Sequence, residues 1–519
     1  MTARDVEQAA GRAGIAGAVG AAVGIATGDV VAIVLGAPSP AVAVADAAVD
    51  RAPGALLRAG IDAFAPFTKP VTVLAVVAVV VGLGAAVGRR SVARPRLPWA
   101  VAVPLAALAA LAAASIDTPV RSTISAVLAA AAGAATTGAL VRRAGTVRDE
   151  TTALSADGPV ASPLDPPGTR RSFLGLAAAG TAFAVLGPAS LRRLRSSGPA
   201  TPPPVAALPE PAYRGPVAAT TFDGAVTGLT PAITPNDRFY RIDTSFIIPR
   251  VDVDTWTLEI GGLVERPRRL TYADLLAMPL VEEEVTIACV SNEVGDRLVG
   301  NARWLGVPLA RLLEEAGVLP EGEQVMGRSV DGWTGGFPTA AALDGRTALV
   351  AVGMNGEPLP YAHGFPARLI VPGIYGYVSA TKWLAAIDLV PWERDGFWVP
   401  RGWSKLGPVK TQSRIDVPRT GTRVPAGPAV VAGVAWAPVR GVTKVEVSVD
   451  DGPWRTARLA GGAGPATWVQ WLLDWEATPG AHRIRVRATD GDGITQTPVE
   501  QDVVPDGATG WHQVQVSVD

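Results

Sequence analysis

Apolar residues crowd the first third of the chain in long runs and then break into short, alternating stretches. Five runs precede residue 192: about Ala13 to Gly36, Val71 to Gly88, Pro98 to about Ser115, Ser122 to Val141, and Ser172 to Leu191. A helix needs ~20 mostly apolar residues to cross a bilayer. The pattern therefore predicts a membrane domain over 1–191 with about five transmembrane helices, the third and fifth leaning on alanine. Gly20, Gly24 and Gly28 repeat at the small-xxx-small spacing that lets helices approach closely. Asp29 interrupts the first run, and with no partner charge evident in the other runs it reads as the outer end of a short helix.

Lysine and arginine set the expected orientation. Arg89, Arg90, Arg94 and Arg96 lie between runs two and three, and Arg142, Arg143, Arg148, Arg170 and Arg171 between runs four and five. The positive-inside rule puts both loops and the N-terminus in the cytoplasm. An odd number of crossings then places everything after residue 192 outside the cell membrane. Arg192, Arg193 and Arg195 oppose this from the outer side. Against them, Gly168-Thr169-Arg170-Arg171-Ser172-Phe173-Leu174-Gly175 looks like a twin-arginine export signal, the kind that moves folded, cofactor-loaded proteins.

The pattern changes at residue 192. Pro199, Pro202, Pro203, Pro204, Pro209 and Pro211 make 192–220 a stiff, extended linker. From 221 to 414 strands and helices mix without regular alternation, which predicts an α+β domain on a mixed sheet. Trp256 to Ile260 alternates like a strand, Thr271 with Asp274 opens a helix, Val307 to Ala316 is an amphipathic helix, and Leu349 to Met354 is a buried strand closed by Asn355-Gly356. From 415 to 519 the chain is β-rich: Val430 to Trp436, Lys444 to Val449, Trp454 to Leu459, Trp468 to Trp475 and His482 to Ala488. Asp450-Asp451-Gly452 and Asp490-Gly491-Asp492-Gly493 supply turns, and an immunoglobulin-like β-sandwich is expected. Asp490 and Asp492 are read as turn residues in preference to a calcium site.

Composition removes several functions. The net charge of −1 gives no bulk attraction to nucleic acid. The three histidines, His363, His482 and His512, all follow residue 200, so a bis-histidine haem in the membrane part is excluded. A single cysteine, Cys289, excludes an internal disulfide, a four-cysteine zinc site and an iron–sulfur cluster. It sits where the β-rich stretch Val285 to Ala288 breaks into the polar turn Ser291 to Asp296. By itself it reads either as a small buried apolar residue or as one reactive or metal-ligating thiolate.

Several segments, taken together, resemble the sulfite-oxidase family of molybdopterin-dependent oxidoreductases. They are Thr234-Pro235-Asn236-Asp237-Arg238-Phe239-Tyr240-Arg241-Ile242-Asp243-Thr244, the Cys289 turn, Asn301 to Gly306, Met354 to Pro360, His363 to Arg368, and Pro372-Gly373 leading to Thr381-Lys382-Trp383-Leu384. The resemblance runs from there to the C-terminus, where Gly433 to Pro438 opens the family's dimerisation domain. It implies one Mo-molybdopterin, with Cys289 as the protein's ligand to the metal, and so favours the thiolate reading. Asn236, Phe239, Tyr240, Arg241, Asp243 and Thr244 fall on the segment lining one edge of the pterin, and Asp331 and His363 on further pterin positions. Arg368 and Lys382 match the phosphate side, and Ala380 and Thr381 flank Lys382.

The departures from the family pattern are informative. Where sulfite oxidases carry anion-binding arginines, this chain has Val294 and Ile242, and Trp333 stands roughly where a tyrosine lies near the metal. Cys289 and Trp333 are the residues expected at the reacting centre. An apolar, aromatic pocket suits a dianion poorly. The resemblance implies a multidomain, membrane-anchored, extracytoplasmic enzyme performing two-electron, sulfite-oxidase-like oxygen-atom transfer on a small molecule, and the departures argue against sulfite itself; a reductase of S-oxides such as methionine sulfoxide is the second reading. A non-catalytic membrane-held scaffold or adhesion module is the third. The enzyme would be a homodimer exchanging electrons with a separate carrier, a cytochrome or a quinone-linked protein.

Overall fold

The computed structural model describes residues 3–35, 39–52, 68–113, 119–146, 177–182, 207–245 and 248–519. The chain divides into two compact units, residues 1–201 with 245–247, and residues 202–244 with 248–519.

In the first unit, three described helices are long and apolar enough to cross a membrane, over Ala10–Leu35, Val71–Ser91 and Val120–Arg142. The sequence led us to expect about five. The third run forms the helix Leu97–Ala113, 17 described residues long, and residues 114–118 after it lie outside the described residues. Pro104 lies within it. Of the fifth run only 177–182 are described, and the twin-arginine motif lies outside the described residues. A helix absent from our reading, Pro40–Arg51, starts at Ser39, whose Oγ accepts from the Val42 N–H at 3.4 Å, with Pro40 at the first position.

The glycines of the first helix separate two neighbours. Gly17 meets Gly84 and Gly88, whereas Gly20 and Gly24 meet Gly133 and the backbone around it, so closely that a Cβ at any of them would displace backbone. Removing side chains from two faces is what allows one helix to hold two others by dispersion contacts.

The second unit begins with a correction to the expected linker. Residues 207–220 do not all stand free: Tyr213 and Arg214 pair in parallel with Val281 and Glu282. They form the edge of a six-stranded sheet ordered Tyr213–Arg214, Val281–Ala288, Val299–Pro308, Leu349–Met354 and Arg368–Ile370, with Glu357–Pro358 paired to Leu349–Met354. A second, five-stranded sheet runs Arg268–Thr271, Thr257–Gly262, Leu384–Val390, Gln324–Ser329 and Thr334–Pro338, with Leu384–Val390 parallel to Thr257–Gly262. Both sheets are therefore mixed. Their shared core includes Trp304, Phe337, Leu349 and Ile387. Local rules hold here: Thr271 and Asp274 form a reciprocal capping box, and Asn355-Gly356 turns with φ of 54° and 82° between paired Met354 and Glu357.

The C-terminal strands make two further sheets. One has the order Gln412–Val417, Gly427–Trp436, Val469–Ala477, Arg458–Leu459; the other has Arg423–Val424, Gln513–Val518, Gly480–Asp490, Val442–Val449, Arg455–Thr456. Val431, Trp471, Ile484 and Val486 lie in a separate core between them. Asp490 holds Thr411, Arg440 and the Ile494 N–H at 2.8, 3.0 and 3.0 Å, so its oxygens are engaged within the protein.

Candidate functional site

Cys289 follows directly on the strand Val281–Ala288 and is 7% exposed. Its N–H donates to the Leu298 carbonyl at 2.8 Å, and its carbonyl accepts from the Asn292 N–H at 3.1 Å. Buried Asn292 closes the loop by accepting from the Leu298 N–H through Oδ1 at 2.7 Å. Gly295 takes φ +86°, where any side chain would be strained and where a Cβ would collide with the His512 ring. Burial pushes the Cys289 thiol pKa up, while hydrogen bonds from Ser291 and the charge of Lys382 pull it down.

Cys289 lines a pocket. Of the residues expected at the site, Phe239, Tyr240, Asp243, Thr244, Cys289, Asp331, Trp333, Arg368, Ala380 and Lys382 line it. Asn236, Arg241, His363 and Thr381 are not in the lining. His363 Nε2 lies 2.8 Å from the Asn236 carbonyl, which only accepts, so Nε2 carries the proton. Its ring meets Phe239 edge-on, and burial depresses its pKa to about 4. Asn236 in turn accepts from Asn355 Nδ2 at 2.8 Å. These residues lie behind the wall and hold it.

Charge collects on one side of the pocket. Lys382 Nζ donates to Asp243 Oδ2 at 3.0 Å, and Arg241 Nε donates to the same oxygen at 2.8 Å. Desolvation lowers the Lys382 pKa to about 8, with Asp243 opposing the shift. Arg368 is 3% exposed and lies over Trp304 at 5.1 Å. It donates to the carbonyls of His363 and Ala380 at 3.1 and 3.4 Å, leaving its Nε without a partner among the described residues, and burial lowers its pKa to about 10. The Thr381 Oγ1, fully buried, also lacks a partner among the described residues. A buried donor without an acceptor costs ~1–3 kcal/mol. The unpartnered Arg368 Nε, in the same lining as Lys382, fits a phosphate-bearing group, and the single thiol in that lining fits one soft metal ligand.

The lining also has apolar and aromatic members: Ile242, Trp333, Tyr377 and Trp398. Trp333 is fixed through its N–H to Asp331 Oδ1 at 3.2 Å. Burial raises the Asp331 pKa. Val294, which the sequence grouped with these residues, lines a different groove with residues 500–503 and 508–513. Ile287, Ser329, Gly376, Tyr377, Trp383 and Trp398 line the pocket and were not anticipated as lining. The aromatic-rich run Phe397-Trp398 to Trp403 was the available signal for Trp398; Ser329 and Gly376 gave none. Among the described residues no group of three or more His, Cys, Asp or Glu could hold a metal ion, so a bare multi-ligand metal site is not offered.

The oxidoreductase molybdopterin binding domain family matches residues 245–398. Sulfite oxidase of Gallus gallus is 30% identical over 292 residues, 47% of this chain and 63% of that protein. An uncharacterized oxidoreductase of Bacillus subtilis, YuiH, is 36% identical over 156 residues, 30% of this chain and 76% of that protein. The sulfane dehydrogenase SoxCD of Paracoccus pantotrophus, a solved structure, aligns at 26% identity with a TM-score of 0.49, covering 56% of this chain and 84% of that one. The chain spans 63% and 62% of the length of the first two sulfite oxidases it matches.

Proposed function

The chain belongs to the sulfite-oxidase family of molybdopterin-dependent oxidoreductases, and we propose that the pocket beneath Cys289 is its active site. It is an oxidoreductase whose cofactor is Mo-molybdopterin; when bound, that group supplies two-electron oxygen-atom transfer. Cys289 would ligate the metal. Arg368 and Lys382 would hold the cofactor phosphate, with Thr381 and the backbone at Ala380 beside it. Phe239, Tyr240, Asp243, Thr244 and Asp331 would line the pterin, while Asn236, Arg241 and His363 hold that lining in place. One observation carries the reading: the chain's lone thiol, the half-buried Lys382 and the buried Arg368, whose Nε has no partner among the described residues, share a single pocket.

Ile242, Trp333, Tyr377 and Trp398 favour a substrate with an apolar body over a small dianion, which would need cations there. Those side chains support reduction of an organic S-oxide as the second reading. The helices Ala10–Leu35, Val71–Ser91 and Val120–Arg142 support membrane anchoring, and the arginine-rich loops support an extracytoplasmic catalytic unit served by a separate electron carrier. The C-terminal pair of sheets supports an immunoglobulin-like sandwich, and the resemblance of Gly433 to Pro438 to the family's dimerisation domain supports homodimer formation.

Metal analysis of the purified chain beside Cys289→Ser tests the core of this. Near-stoichiometric molybdenum in the wild type is expected, with turnover in the variant lowered by more than the ~10–100-fold that loss of a mere outer-shell partner costs. No molybdenum in protein from a cofactor-competent host would overturn it in favour of a scaffold.

A further inference from the structure

The loop that carries Cys289 is held from outside its own domain. Arg414 lies on the strand Gln412–Val417, in the β-rich C-terminal part, and is 3% exposed. Its three nitrogens each have a different acceptor. Nε donates to Asp416 Oδ1 at 2.7 Å, the first Nη to the Asp296 carbonyl at 2.9 Å, and the second to Thr230 Oγ1 at 2.8 Å. Asp416 reaches back to the Thr230 N–H at 3.1 Å. One guanidinium thus ties together the end of the Cys289 loop and the start of the segment that runs on to Phe239, Tyr240 and Asp243.

A second contact comes from the same side. The Ile415 N–H donates to His512 Nδ1 at 2.9 Å, which fixes that ring beneath Gly295. Gly295 cannot sink toward the ring without collision, and Asp296 cannot rise from Arg414 without leaving a buried donor unpaired. The loop is gripped one residue apart by a steric stop and a charged hydrogen bond.

We propose that Arg414, with His512, is a positioning residue for the reaction: the C-terminal sheets set the height of the Cys289 sulfur in the pocket. This assigns them a role in the site besides any role in association. The inference deepens the reading of Cys289 as the metal ligand, so its test includes a measurement that does not depend on the metal.

Because the chain has one cysteine, alkylation reports a single thiol. The full-length chain is made in a host unable to synthesise molybdopterin, and the alkylation rate of Cys289 is compared among wild type, R414K and the double variant R414M/D416L, which removes both buried charges. The double variant should react about tenfold faster or more, the size expected for losing a hydrogen bond to a charged group, with R414K in between. In the cofactor-loaded chain, the thiolate-to-molybdenum charge-transfer absorption should shift or broaden in the same order at unchanged molybdenum content. Equal alkylation rates in wild type and a folded R414M/D416L would overturn the proposal. Should that variant not fold, H512A probes the same loop from the other side: faster alkylation supports the grip, and an unchanged rate sinks it. Absence of molybdenum from the wild type would remove the metal reading while leaving the alkylation comparison intact.

Discussion

Arg368 and Arg414 are equally buried, each 3% exposed, but their surroundings differ. Arg414 has a carboxylate, a carbonyl and a hydroxyl, one for each nitrogen. Arg368 has two carbonyls, an aromatic face and an Nε facing no acceptor among the described residues. Burying a guanidinium is costly unless it is paired. The saturated arginine is complete within the fold. The unsaturated one retains hydrogen-bonding capacity that an anionic ligand can take up.

The comparison breaks most readily at Arg414. Arg414→Met leaves Asp416 as an unpaired buried charge and should destabilise the chain by ~3–5 kcal/mol in denaturant unfolding, whereas Arg414→Met with Asp416→Leu should recover most of that loss. Recovery is expected in stability alone, not in the protection of Cys289. If Arg414→Met alone unfolds no more easily than wild type, the contrast between the two arginines is wrong.

A histidine neighbours each arginine, and both are neutral in the fold. Burial lowers His363 and His512 from 6.5 to about 4. Between these values the unfolded chain binds more protons, so stability is fully present above pH 6.5 and is lost as pH falls toward 4. Each shift corresponds to ~3 kcal/mol. Urea midpoints measured across that window should fall, and His512→Gln should flatten part of the fall.

Smaller effects are expected on the unsaturated side. Arg368→Met should change the stability of the cofactor-free chain by less than ~1.5 kcal/mol, but lower molybdenum content about tenfold. Loss of stability comparable to Arg414→Met would contradict the distinction. The smallest effect concerns Lys382, whose pKa is lowered to about 8. Its positive charge is present below that value and lost as pH rises through it. Inorganic phosphate should therefore bind the cofactor-free chain a few-fold more weakly at pH 9 than at pH 7, and Lys382→Arg should remove the dependence because a guanidinium stays charged.

Some of this was legible in the sequence. The Thr271–Asp274 cap, the Asn355-Gly356 turn and the buried strand Leu349–Met354 follow from local rules, and the structure has them. Cys289, Arg368 and Lys382 could be grouped only through family resemblance, because no local pattern links residues so far apart in sequence. Other features depend on tertiary packing. Trp398 reaches the pocket because Gly396 lies against Gly335 and Gly336, and the Phe397 N–H donates to the Thr334 carbonyl at 2.9 Å. Three of the expected apolar runs appear as described helices long and apolar enough to cross a membrane, and most of the fifth lies outside the described residues. The Arg414–Asp416 pair was half-legible: residues two apart on a strand share a face, but nothing local said that the face meets the Cys289 loop.

The distance in sequence between Cys289 and its outer supports has a biosynthetic consequence. His512 follows Cys289 by about 220 residues, which a ribosome adding 5–20 residues per second needs roughly 10–45 s to make. During that interval the thiol has left the synthetic machinery without the segments that grip its loop. Cofactor loading that requires a settled loop must therefore wait until translation has passed the last β-strand. Any factor that shields a nascent thiol from oxidation would act within that delay.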